Sequence, residues 1–425
     1  MVQRDILHCD CNSFYASVEL LAHPELREKP VAVCGDPEGR HGIILAKNEA
    51  AKKFKIQTAE TVWQAKRKCP DLILLPPHRE QYRKFSAQIN AIYQEYTDLV
   101  EPFSIDESWL DVTHTWQRFA PSPTELAHIV RRRVKNETGL TISIGVSFNK
   151  VFAKLGSDYK KPDAVTLFGP EQVEPLIWTQ PAGNLLYVGR AAEKALAGLG
   201  IYTIGQIAAA DPQLLCGALG KLGRQLSCFA RGEDREPVRT PDQREPVKSV
   251  GSGCTFRRDL CTAEEIRIGL YALADECATR LRRQGLWAGA VQVTIRGTDL
   301  KTITRQKHLG MSTHLAKCLA EECWGLIQAN WTVGRPIRML TVTALALTDE
   351  PFAVQQSFFE DAPKADPRRE KLEKSMDAIR SKYGRGAIAS GGALRTDLGL
   401  DGLHMGSGTP QGEEADWDDR VKGQL

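Results

Sequence analysis

Nowhere in the 425 residues does an apolar run approach the ~20 residues a helix needs to cross a bilayer, which argues against a helical membrane protein. The N-terminal "MVQRDILHCD" lacks the apolar stretch and cleavage site of a secretory signal, so a cytoplasmic location is expected. Paired cysteines are missing as well. The eleven present, an odd number, are scattered without a CxxC pair, which excludes a zinc knuckle of that type and argues for reduced core thiols. Neither sign of charge dominates, the net being +3, so overall charge says little about partners. What remains is an ordinary globular composition, 42% hydrophobic and 26% charged, in a chain long enough for about three or four domains.

Two short stretches stand out against that background. In "ILHCDCNSFYASVE" an apolar run with the look of a buried strand ends in Asp10, and Asn12, Ser13, Phe14 and Tyr15 then read as a tight passage into a helix. A carboxylate closing such a strand is costly to bury unless something positive neutralises it. Asp10 therefore either caps the helix or holds a cation. In "VEPFSIDESWLDVT", Asp106 and Glu107 stand side by side at what reads as the tip of a hairpin. Adjacent carboxylates repel and persist where solvent or a metal screens them. If the Asp10 strand pairs beside this hairpin, three carboxylates meet at one sheet edge, an oxygen-only set that suits Mg²⁺ or Mn²⁺. Taken singly, each acid reads as readily as a cap or a turn residue.

Along the chain, short apolar strands ("VAVCG", "LILLPP", "ISIGVSF") alternate with helical patterns ("ELREK", "AETVWQAKRKC", "REQYRKFSAQINAIYQEY") up to about residue 165. Residues 166–235 read as all-helical, and the charged, proline-rich 236–245 as a linker. Residues 246–347 give a β-α-β-β-α-β order, which implies helices on one face of a four-stranded sheet and an open opposite face. This segment has 14 Lys/Arg against 8 Asp/Glu, a local charge of +6. Arg296, Lys301, Arg305 and Lys307 fall on or beside what reads as its two middle strands, where alternation would put them on the open face as a phosphate-binding surface. From residue 348 the chain reads as a flexible tail with one amphipathic helix, its stripe formed by Leu372, Met376, Ile379 and Tyr383, and a Gly-rich acidic end.

"DCNSFYASVE", "SIDESWLDV" and "GVSFNKVFAKLGSDYKKPD", in that order, resemble the Y-family of translesion DNA polymerases, of the DNA polymerase IV kind, over roughly residues 5–350. The resemblance implies an α+β multidomain fold on the right-hand polymerase plan. It would comprise a palm (1–25 and 76–165), fingers (26–75), a helical thumb (166–235) and a β-α-β-β-α-β little finger (246–347). It implies Asp10, Asp106, Glu107 and the Cys11 backbone carbonyl as ligands of two Mg²⁺ ions, with Mn²⁺ able to substitute. Tyr15 falls at the aromatic steric gate that rejects a 2′-hydroxyl, with Phe14 beside it. Lys52 and Lys161 would hold the incoming triphosphate, and Ile43 and Leu45 would roof the nascent pair. Glu49 stands where many members carry a tyrosine, and an acid cannot make that residue's phosphate contact. "LYVGRAAEKALAGLGI" resembles a helix-hairpin-helix with Gly189 at the DNA phosphate and Tyr187 in place of a second glycine. "QQSFF" resembles a sliding-clamp peptide, with Gln355, Phe358 and Phe359 as its anchors. The expected activity is low-fidelity translesion DNA synthesis on primer-template DNA and dNTPs, by a protein that is monomeric and free of membranes. The rival readings are a non-catalytic DNA-binding scaffold recruited to the clamp, and a nuclease or nucleotide cyclase using two-ion chemistry.

Overall fold

A computed structural model describes residues 4–37, 42–243, 246–332, 334–352, 366–389, 391 and 397–400. The chain divides into two compact units, one formed by Met1–Gly35 with Ile43–Arg244, the other containing Glu245–Gly408.

The first unit opens with β1 (Ile6–Cys11), α1 (Phe14–Ala22), β2 (Val31–Cys34), β3 (Ile44–Lys47), α2 (Glu49–Lys52), α3 (Val62–Lys68) and β4 (Ile73–Leu75). It continues with α4 (Arg79–Gln94), β5 (Val100–Pro102), β6 (Glu107–Asp111), α5 (Pro123–Thr138), β7 (Ile142–Ser147), α6 (Lys150–Tyr159) and β8 (Val165–Phe168). Four short helices close it: α7 (Arg190–Gly198), α8 (Ile204–Ala209), α9 (Pro212–Leu219) and α10 (Lys221–Ala230).

Two sheets form, in the orders β5-β6-β1-β7-β8 and β3-β2-β4. β1 lies at the centre of the first and is buried along its whole length. Its side chains alternate between faces. Leu7, Cys9 and Cys11 join Phe14, Tyr82, Phe85 and Val130 in one core, whereas Ile6 packs with Trp109 and Ala153 on the face covered by α6. His8 and Asp10, two and four residues on from Ile6, share that α6 face. α6 can lie close because β7 carries Gly145, where a Cβ would stand 1.8 Å from the Ala153 carbonyl oxygen. The "ELREK" stretch expected as a helix forms only a 3₁₀ turn at Pro24–Leu26, with Pro30 barring its extension. Within the segment read as a linker, Val238 is buried beside Ile6 and Trp109, and Arg239 N donates to Glu101 at 2.7 Å.

The second unit follows the expected order: β9 (Ser249–Leu260), α11 (Ala263–Arg283), β10 (Trp287–Gly297), β11 (Thr302–Thr313), α12 (Ala316–Asn330), β12 (Ile337–Thr348), then α13 (Pro367–Tyr383). All its strands pair antiparallel in the order β11-β10-β12-β9, so β11 is an edge and not a middle strand. α11 and α12 cover the face that carries Val291, Val293, Leu340 and Val342. Thr294 and Thr304, whose hydroxyls meet at 3.1 Å, and Thr341 and Arg296 belong to the other face by alternation.

α13 corrects the amphipathic reading of the tail. Leu372, Ile379 and Tyr383 point to solvent and Glu373 is buried. The helix docks on α11 through charge: Arg282 meets Glu373 and Asp377 at 2.6 Å each, and Arg380 meets Asp275 at 2.7 Å. Arg282 and Asp275 are themselves buried on α11, so an apolar face laid over them would have stranded two charges.

Candidate active site

Register brings the acids together. β1 pairs antiparallel with β6, Asp10 lying opposite Glu107, and Asp106 sits in the turn that joins β5 to β6 and accepts from Cys11 N through its carbonyl at 3.0 Å. Asp10 is no helix cap. Ser13 stands at the start of α1 with φ 49°, and no side chain caps that helix. Instead, Asp10 Oδ2 takes a hydrogen bond from Lys161 Nζ at 2.6 Å, and Asp158 holds the same ammonium at 2.7 Å.

Each of the other acids has its own partner. Glu107 Oε2 lies 2.7 Å from Lys154 Nζ and 3.6 Å from His8 Nε2, and Asp106 Oδ1 accepts from Ser104 Oγ at 2.6 Å. Burial pushes Asp10 up to about 7 against the pull of Lys161. Burial also raises Asp106, which the Ser104 hydroxyl counters in part. Burial alone would raise Glu107, yet the hydrogen bond and charge of the Lys154 ammonium hold it below the usual carboxylate range. His8 is wholly buried, which drives its pKa down to about 4 and keeps it neutral, with Nδ1 2.8 Å from the Ser157 hydroxyl.

Among the described residues no three ligating side chains are gathered as a formed metal cluster. The donor types nevertheless fit a hard divalent cation: three carboxylates at one end of the paired strands β1 and β6, and a lysine ammonium supplying positive charge at Asp10.

These groups open on a cavity of about 380 Å³ lined by Asp10, Cys11, Phe14, Tyr15, Leu45, Lys52, Asp106, Glu107 and Lys161, among others. Phe14 is buried and Tyr15 half-buried, as the 100° step between them requires. Leu45 lies on the face of β3 opposite the core residue Ile44. Ile43 is more exposed, bridges to Thr61, and is not part of the lining. Lys52 is held by Glu49 at 2.5 Å, and Glu49 also accepts from Ser13 Oγ at 3.3 Å.

Sequence reasoning missed Lys154, Asp158, His8 and Ser104. Lys150, Lys154, Asp158 and Lys161 follow one another at intervals of four, four and three, a helical face that was there to be seen.

Elsewhere, the turn before α7 holds Tyr187 at φ +69° in place of the missing glycine, with Gly189 at the helix start. Arg305 and Lys307 correct the expectation of a basic open face. They pair with Val293 and Val291, so they share the helix side, where Arg305 Nε donates to Asn330 Oδ1 and Lys307 Nζ to Glu322 Oε2, both at 2.8 Å. Arg296 keeps the open side, and Lys301 sits in the turn between β10 and β11. Gln355, Phe358 and Phe359 lie outside the described residues.

A carboxylate-lined cleft on a five-stranded sheet, flanked by a small second sheet and followed by short helices, is the architecture of the Y-family DNA polymerases. A Y-family DNA polymerase chimera superposes with a TM-score of 0.72 at 22% identity, over 80% of this chain and 98% of that one. Residues 9–158 match the impB/mucB/samB family and residues 247–358 its C-terminal domain. "DNA polymerase IV" of Acetivibrio thermocellus is 43% identical over 403 residues, which is 94% of this chain and 100% of that protein. "DNA polymerase IV 1" of Bacillus subtilis is 38% identical over 93% of this chain and 94% of that protein. The chain belongs to the impB/mucB/samB family, within the DNA polymerase IV group of Y-family polymerases.

Proposed function

We propose that this protein is a DNA-directed DNA polymerase performing translesion synthesis, transferring dNMP from a dNTP to a primer 3′-hydroxyl. The observation that carries the reading is the convergence of Asp10, Asp106, Glu107, Tyr15, Leu45, Lys52 and Lys161 on one cavity. Asp10, Asp106, Glu107 and the Cys11 carbonyl are the groups that would hold two Mg²⁺ ions, with Mn²⁺ as substitute. Bound there, such ions neutralise the triphosphate and acidify the primer hydroxyl.

The chain's own residues do the rest. Lys161, a lysine at the cavity wall between Asp10 and Asp158, is the group that would meet the triphosphate there, and Lys52 meets the same phosphates from the fingers side. Tyr15 closes the cavity under the sugar as the steric gate. Leu45 roofs the base pair with an aliphatic surface that clamps loosely, which suits a damaged template. The Gly189 turn and the open sheet face of the second unit, with Arg296 and Lys301, are assigned to the DNA backbone. Residues 355–359 are assigned to the sliding clamp.

Extension of a labelled primer on an undamaged template with Mg²⁺ and dNTPs tests the reading. The wild type is expected to extend, while Asp106→Ala with Glu107→Ala retains primer-template binding and does not extend. Binding without extension by the wild type would favour the non-catalytic scaffold instead.

A further inference from the structure

A ring that rejects a 2′-hydroxyl works only if it cannot retreat when pushed. Tyr15 lines the cavity, and behind it the Tyr82 ring lies stacked on it, centroids 4.0 Å apart and planes 10° off parallel. Tyr82 comes from the first turn of α4, is wholly buried and is not part of the cavity lining. Its hydroxyl donates to Glu19 Oε1.

Glu19 lies one turn below Tyr15 on α1 and is itself buried. Its carboxylate is pinned twice more. His78 N donates to Oε1 at 3.0 Å, and His78 Nδ1 lies 2.7 Å from Oε2. A buried carboxylate is costly unless its oxygens are satisfied, and here the bonds that satisfy Glu19 fix Tyr82 and His78, the residue that opens α4. Nothing in the transfer reaction uses Glu19, His78 or Tyr82 directly.

We infer that Tyr82, locked by Glu19 and His78, is a positioning residue that backs the Tyr15 gate and thereby sets discrimination between deoxyribo- and ribonucleotides. The inference rests on the polymerase reading and on Tyr15 as its gate. The stack holds the Tyr15 ring from the side away from the substrate, so a 2′-hydroxyl meets a ring with nowhere to go. Without that support the ring swings back and a ribose is admitted, while a deoxyribose, which never touches the support, is handled much as before.

The test measures kcat/KM for a dNTP and for the matching rNTP with wild type, Tyr15→Ala, Tyr82→Ala and Tyr82→Phe. Tyr82→Ala is expected to lower the dNTP/rNTP ratio at least about tenfold through a gain in rNTP use, with the dNTP value nearly unchanged. Tyr82→Phe keeps the ring, loses the tie to Glu19 and is expected to fall between wild type and Tyr82→Ala. A merely structural role for Tyr82 would depress both nucleotides equally and leave the ratio alone, and that result overturns the inference. Should Tyr82→Ala fail to fold, the ratio in Tyr82→Phe decides, a wild-type value counting against the inference. If Tyr15→Ala keeps the wild-type ratio, the gate itself is wrong. If the wild type incorporates no dNTP, the polymerase reading falls and takes the inference with it.

Discussion

Glu49 places an acid beside the candidate triphosphate site, and it bears directly on Lys52. The carboxylate holds Lys52 at 2.5 Å, both side chains being about half exposed, so the pair contributes well under about 1 kcal/mol and a triphosphate can displace it. Displacing it still weakens nucleotide binding. Glu49→Gln is expected to lower KM for the dNTP about twofold with kcat unchanged, read by steady-state extension kinetics. The candidate site acids were visible at the residue scale, because Asp10 stands near the end of an apolar strand and Asp106 and Glu107 adjoin where a turn enters the next strand, features that local sequence writes directly. Their partners were less so. The helical face carrying Lys154 shows in the sequence, but that Lys154 holds Glu107 with His8 buried beneath it becomes legible only once α6 is known to cross the face of β1 that carries even-numbered residues.

Secondary structure around the site follows from such local signals, but α13 shows where they stop. Its apolar stripe predicts an apolar contact; instead the helix buries Glu373 and sets it and Asp377 against Arg282. Arg282→Ala leaves those carboxylates without their main cation and is expected to destabilise the second unit by about 3 kcal/mol or more, seen as a lower urea midpoint. His314, which opens the loop before α12, adds a pH dependence. Burial lowers its pKa below 6.5; Arg282 and Lys374 push the same way, while Glu370, 3.3 Å away, opposes them. The folded form then binds fewer protons than the unfolded one, so this contribution is full above pH 6.5 and is lost as pH falls toward the folded pKa. Urea titrations between pH 7.5 and 5.5 should show the loss, and His314→Gln should flatten it. The misplacement of Arg305 and Lys307 belongs at this scale too. Because side chains alternate, the two residues share whichever face the register chooses, and pairing with Val293 and Val291 sends both to the helix side.

For the molecule as a whole, the proposal makes catalysis and recruitment separable. Phe358→Ala with Phe359→Ala is expected to remove stimulation by the sliding clamp and leave clamp-free primer extension unchanged, as measured with and without added clamp. The sequence by itself determined the family, the order of elements in the second unit and the carboxylates of the candidate site, since motifs, periodicity and turn residues are properties of neighbouring positions. Tertiary structure alone decided that Lys161 neutralises Asp10, that Tyr82 stands behind Tyr15, and which face of α13 is buried. Those outcomes depend on register between distant strands and on which charges burial forces into contact. Lys161 is 151 positions from Asp10 and Tyr82 is 63 from Glu19, and no local pattern spans such separations.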